Sequence, residues 1–120
     1  MPVDPTGRDL KRYLEEDPGG PVVMLNLLKF KPGGRPSYEA YAREIRRFLD
    51  GLGAEVLYLG DCSTALVERP EGFDWDAVLL VRYPSRQAFS DMVRDPAYQE
   101  ITSLRTAALS DAILQATTAW

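Results

Sequence analysis

Histidine is absent from this 120-residue chain, and cysteine occurs once, at Cys62. The first absence removes the commonest general base and the commonest metal ligand. It also excludes His-ligated haem and every His-dependent catalytic triad. One thiol allows no intrachain disulfide, and without histidine it makes a poor zinc site. No loop carries dense Asp ligands at calcium-site spacing. We therefore expect no metal and no bound cofactor, and in an enzyme the proton chemistry would fall to Asp, Glu, Tyr, Lys or a cofactor.

Positive charge is also in short supply. The net charge is −4, so no cationic excess is available to displace counterions from a nucleic acid. The one local basic cluster, Arg43, Arg46 and Arg47, has the spacing of a solvated helix face. No apolar run is long enough to cross a bilayer. The opening "MPVDPTGRDLK" shows no secretory h-region. These readings predict a cytoplasmic protein with neither a nucleic-acid nor a membrane partner.

What is present is clear periodicity. Residues 6–16, "TGRDLKRYLEE", form a short helix with Leu10 and Leu14 as an i,i+4 pair. "DPGGP" stops it, and "VVMLNLLKF", 22–30, reads as a strand. "KPGGRPS", 31–37, is a turn-rich loop. In "PSYEAYAREIRRFLDGLG", Tyr38, Tyr41, Ile45, Phe48 and Leu52 share one helical face, and Gly51 and Gly53 are stop signals. Residues 54–68 read as one long strand with a bulge at Gly60 and Asp61. A turn at 69–74 leads to a strand at 75–83, making an antiparallel hairpin.

Ser85 then caps a helix whose inner face is Ala88, Phe89, Met92 and Val93. Asp95 and Pro96 start a further helix, with Tyr98, Ile101, Leu104, Ala108 and Leu109 as its stripe. "DAILQATTAW" closes the chain as a last strand. The order strand, helix, strand, strand, helix pair, strand is that of a ferredoxin-like split βαβ fold. It predicts an α+β domain over residues 1–120, with a four-stranded antiparallel sheet, helices on one face, and residues 1–20 as a helical extension.

Helices on one face should leave a sheet with apolar and polar residues alternating. The first strand does not alternate. Val22, Met24, Leu28 and Phe30 lie on one face, and Val23, Leu25 and Leu27 on the other. The strand at 75–83 repeats this, with Ala77, Leu79 and Val81 against Val78 and Leu80. Two apolar faces predict a homodimer packed through the helix-free side.

The segments "PVVMLNLLKFK", "YEAYAREIRRFLDGLGAEVLYLGD", "WDAVLLVRYPSRQAFSDMVRDPAYQ" and "RTAALSDAIL" resemble the bacterial domain-of-unknown-function thirteen-thirty family. The resemblance covers most of the chain. It implies the dimeric α+β barrel, in which two sheets pack face to face. It implies no reaction, because the family is named for lacking one. The wider superfamily includes cofactor-free monooxygenases, muconolactone-isomerase-like enzymes and haem proteins. The missing histidine sets the His-ligated haem type aside.

Asn26 stands out within its apolar strand. A buried amide needs a partner, either protein backbone at a bulge or cap, or a ligand. In the second case it could polarise a carbonyl or hold an enolate oxygen. Asp76 is the candidate base, since burial would raise its proton affinity; otherwise it is a strand-end solubiliser. Asn26 and Asp76 are thus the catalytic candidates. Lys29, Tyr38, Tyr41, Trp75, Tyr83 and Arg105 are the ligand-binding candidates. Arg105 could fork onto a carboxylate or serve an internal salt bridge. With Tyr58 and Tyr98 the tyrosines are numerous enough to line a pocket, while the alternative makes Tyr38 and Tyr41 plain core and Trp75 core or dimer packing. Cys62, flanked by apolar strand, reads as inert.

Three functions remain open on the sequence. One is a cofactor-independent isomerase, lyase or monooxygenase. The second is a non-catalytic module that binds or sequesters a small-molecule ligand. The third is a dimer with no small-molecule role.

Overall fold

The computed structural model describes residues 2–71 and 74–120. Helix α1 spans Gly7–Glu15 and begins with a capping box. The Thr6 hydroxyl accepts from the Asp9 amide at 3.1 Å, and the Asp9 carboxylate accepts from the Thr6 amide at 3.0 Å. Strand β1 is Val22–Phe30, α2 is Arg35–Leu52, and β2 is Glu55–Asp61. Then follow β3 (Ala77–Tyr83), α3 (Arg86–Arg94), α4 (Pro96–Ala108) and β4 (Leu109–Thr117). Ser85 caps α3, and Asp95 caps α4 with Pro96 at its first position, as the sequence predicts.

All strand pairings are antiparallel, in the order β2-β3-β1-β4, which is the ferredoxin-like topology. Register assigns the faces. Asn26 sits between Leu79 and Leu114, and Met24 between Val81 and Ala116, on the side covered by α2, α3 and α4. Leu28, fully buried, anchors that core with Tyr38, Phe89 and Ile101. On the opposite side Leu25 pairs with Leu80, and Leu27 with Val78 and Ile113. No described helix packs on these residues, and they are half-buried. Tyr58, beside Leu80 on that face, is exposed.

The β2 expectation is corrected. The strand stops at Asp61 rather than running to residue 68. Its partner β3 starts at Ala77, opposite Asp61, so residues 62–68 have no strand to pair with. Leu66 and Val67 are accordingly exposed. The irregularity lies between Val56 and Tyr58, not at Gly60 and Asp61. At Gly60 the exposed Tyr58 ring lies over the backbone where a Cβ would stand. The strand predicted from residue 75 begins at Ala77. Part of the turn predicted at 69–74, residues 72–73, lies outside the described residues.

The last helix and strand meet without a linker. The sequence places Leu109 on the helical stripe and starts the strand at residue 111, but β4 begins at Leu109, directly after Ala108. The β1–α2 loop packs against this joint, and the Lys31 amide donates to the Ala108 carbonyl at 2.8 Å. Gly34 is required there, since a Cβ would lie 2.3 Å from the same carbonyl oxygen.

Candidate functional site

A cavity of about 410 Å³ lies between the helix-side face of the sheet and helices α2, α3 and α4. That volume is in the range of small-molecule sites, about 300–1,000 Å³. Met24, Asn26, Leu79 and Val81 form its floor. Tyr38 and Tyr41 come from α2, and Tyr98 and Arg105 from α4. Tyr38 and Tyr41 are three residues apart on a helix, which turns both rings inward. Pro36 helps start α2 just before them. The exposed Arg43 and Arg46 stand at the cavity's edge.

Asn26 is 7% exposed and faces this space. Its Nδ2 donates to the Met24 carbonyl at 3.4 Å and to the Leu79 carbonyl at 3.3 Å. Both bonds are long for N–H···O. Among the described residues no donor serves its Oδ1.

The tyrosines form a connected group. The Tyr41 and Tyr98 hydroxyls are 2.7 Å apart, and either can donate. The Tyr38 and Tyr41 rings lie 5.5 Å apart, and Tyr83 packs edge-on against Phe89. Burial pushes the Tyr38 hydroxyl up to about 12, partly offset by the Arg105 cation. Tyr41 is raised well above its ordinary value by burial and then by the Tyr98 hydroxyl. Burial likewise raises Tyr83. At neutral pH these hydroxyls are therefore protonated hydrogen-bond donors, not bases.

Arg105 is 4% exposed. Its Nη1 donates to the Val3 carbonyl and, at 2.9 Å, to the Asp4 carboxylate. Asp4, which the sequence gives no reason to single out, thereby enters the cavity wall from 101 residues away. Among the described lining residues it is the one carboxylate.

The structure thus brings together Asn26, Tyr38, Tyr41, Tyr83 and Arg105. It does not bring Asp76, Lys29 or Trp75 into this cavity. The Asp76 carboxylate accepts from the Phe30 amide at 2.8 Å, where the β1–β4 register shifts. Its own amide donates to the Leu28 carbonyl at 2.8 Å. Asp76 therefore closes the end of β1 instead of facing the hollow. Lys29 points from the other face of β1 and donates to the Asp74 carbonyl at 3.0 Å. Trp75 is half-buried just ahead of β3. Tyr98, which the sequence offers among its pocket-lining tyrosines, joins the cavity group, and Asp4 is the lining residue that sequence reasoning missed. Tyr98 was legible from its place on the α4 stripe, whereas Asp4 carried no local signal.

Neutral hydroxyls and an amide around a mostly apolar hollow can polarise a carbonyl or hold an enol oxygen. Among the described residues, no group of three or more acidic, thiol or imidazole side chains is placed to hold a metal ion. No described helix is long and apolar enough to cross a membrane.

A family model described as "Domain of unknown function (DUF1330)" matches residues 27–117. A protein of unknown function from Rhodopseudomonas palustris is 32% identical, with a TM-score of 0.88, over 98% of this chain and 96% of that one. More distant likenesses are of fold alone. A dimeric ferredoxin-like protein of unknown function from Jannaschia sp. CCS1 is 10% identical, covering 83% of this chain and 100% of that one, with a TM-score of 0.63. SnoaB, a cofactor-independent oxygenase from Streptomyces nogalater, is 13% identical, covering 85% and 95%, with a TM-score of 0.60. No curated protein matches the chain.

Proposed function

The chain belongs to the DUF1330 family, and from that membership and its ferredoxin-like α+β fold we propose that it is a homodimeric small-molecule-binding protein. The observation that carries this reading is Asn26. It is a buried amide, flanked by Leu25 and Leu27, facing an apolar cavity with its carbonyl oxygen unserved by any described donor. That oxygen opens onto the cavity instead of being sealed among apolar side chains, so a ligand can supply the donor it lacks. The ligand is mostly apolar and carries a hydrogen-bonding oxygen for the tyrosine hydroxyls. The finer form of the proposal is chemistry without a cofactor: isomerisation, elimination or oxygenation of an enolisable ligand held by Asn26. SnoaB, a fold neighbour, is a cofactor-independent oxygenase. The second reading is a non-catalytic module that uses the same cavity to bind or sequester its ligand. Turnover of a bound compound separates the two.

The homodimer is part of the same proposal. Its support is the uncovered apolar face of Leu25, Leu27, Val78, Leu80 and Ile113, together with the dimeric state of fold neighbours.

A thermal-shift titration with 2-naphthol tests the binding reading. The expected result is a saturable rise in melting temperature, growing with the logarithm of ligand concentration above Kd. A flat response to 2-naphthol, with native mass spectrometry showing no co-purified small molecule, would overturn it.

Asn26→Leu probes the residue itself and nearly conserves volume. Its bonds to Met24 and Leu79 are long, and both acceptors are strand carbonyls. We expect stability to change by less than about 1 kcal/mol, and 2-naphthol affinity to fall about tenfold, the loss of one hydrogen bond. Thermal unfolding beside calorimetric titration reads both quantities. A clear loss of stability with unchanged affinity would make Asn26 a structural residue.

A further inference from the structure

Two hollows meet at the segment that precedes α1. Asp4 and Pro5 line the cavity described above and also a second hollow, of about 830 Å³, bounded by α1 and β4. They form part of the wall between the two. What holds this wall is polar and comes from the last turn of α4. Arg105 Nη1 serves the Val3 carbonyl and one Asp4 oxygen, and the Thr106 hydroxyl donates to the other Asp4 oxygen at 2.8 Å. Arg105 Nη2 is buried and has no partner among the described residues. A guanidinium is a planar fork matched to both oxygens of a carboxylate, yet Asp4 engages one nitrogen of it.

Burial of the pair is lopsided. The Arg105 side chain is 5% exposed and that of Asp4 is 40% exposed. The buried cation needs an anion, while the carboxylate is already partly hydrated. Exchanging Asp4 for another carboxylate keeps the cation paired and releases Asp4 into water.

We propose that Asp4 is a tethered stand-in for the carboxylate of the ligand: the cavity takes a small, ring-bearing monocarboxylic acid as its anion, which binds both Arg105 nitrogens while residues 2–5 move aside. The proposal rests on the small-molecule reading and adds the ligand's charge and the element it displaces. The rings of Tyr38, Tyr41 and Tyr98 supply the aromatic walls. Arg43 and Arg46, exposed at the cavity's edge, favour approach of an anion.

The test compares 2-naphthoate with its neutral counterpart, 2-naphthamide, on the full chain. Asp4→Asn keeps the shape of the side chain and removes its charge. This variant should bind 2-naphthoate about tenfold more tightly than the unaltered protein, with 2-naphthamide affinity changing little. Adding Arg105→Gln should abolish the gain. In the unaltered protein, NMR relaxation of the Val3 and Asp4 amides should show these residues becoming mobile when 2-naphthoate binds and staying ordered with 2-naphthamide. That measurement needs no variant to fold. Binding of 2-naphthamide without a selective gain for 2-naphthoate, or an ordered segment in the 2-naphthoate complex, overturns the displacement proposal and leaves the cavity reading standing. Binding of neither probe to any form overturns both.

Discussion

Leu80→Arg should disrupt the proposed homodimer and give a folded monomer. Leu80 lies on the helix-free face of β3, paired with Leu25 on β1 and Tyr58 on β2. It is half-buried in the protomer, so an arginine there can reach water and the protomer core is untouched. In a two-fold interface the same residue enters from both sides, so one substitution places two like charges in the contact. Each unpaired buried charge costs several kcal/mol, so the dimer dissociation constant should rise by about 10³-fold or more. Sedimentation equilibrium reads the mass, and circular dichroism confirms that the monomer is folded. If the unaltered chain sediments as a well-folded monomer at micromolar concentration, the dimer is refuted. If Leu80→Arg stays dimeric, the contact lies on another face.

Raising the pH should unfold the protein cooperatively above about pH 10, with tyrosine ionisation and loss of structure in one step. Tyr38, Tyr41 and Tyr83 are buried, and burial raises each above the ordinary value of 10.0. Tyr13, on α1 and packed against Phe89, is pushed up to about 12 by the same cause. A raised pKa in the folded state means that the unfolded chain loses its proton first. The stability these tyrosines contribute is complete below about pH 10 and is lost as pH rises toward their folded values. For Tyr38, whose value moves from 10.0 to about 12, the loss is on the order of 3 kcal/mol. Domain stabilities are about 5–15 kcal/mol, so a few such groups suffice to unfold the chain. Tyrosinate absorbance and circular dichroism followed along one pH titration provide the check. Gradual ionisation of all tyrosines in a protein that keeps its fold would contradict the burial of this cluster.

Much of the architecture was legible because its signals are local. The bounds of β1 follow from an apolar run flanked by "DPGGP" and "KPGGRPS". The starts of α3 and α4 follow from Ser85, Asp95 and Pro96. The second apolar face of β1 and β3 marked an uncovered sheet before any pairing was known. What was not legible depends on distant partners. Residues 62–68 have strand-like composition, but a strand needs a neighbour, and β3 starts too late to supply one. Asp76 resembles a strand-end acid by sequence, and the Phe30 amide it serves is 46 residues away. The face carrying Asn26 could not be assigned by parity alone, since parity does not say which side the helices cover. Arg105 was readable as flanking the α4 stripe, but its partner Asp4 sits in a segment with no periodicity.

The direct passage from Ala108 to Leu109 has a mechanical consequence. With no intervening residue, α4 and β4 behave as a lever bent at one peptide bond. Lys31 and the close-packed Gly34 clamp that elbow against the end of β1. β4 is an edge strand that carries Ile113 on the uncovered face, and α4 carries Tyr98 and Arg105 into the hollow. The same elbow thus joins the sheet's outer surface, through Ile113, to the wall of the chamber beneath it, through Tyr98 and Arg105.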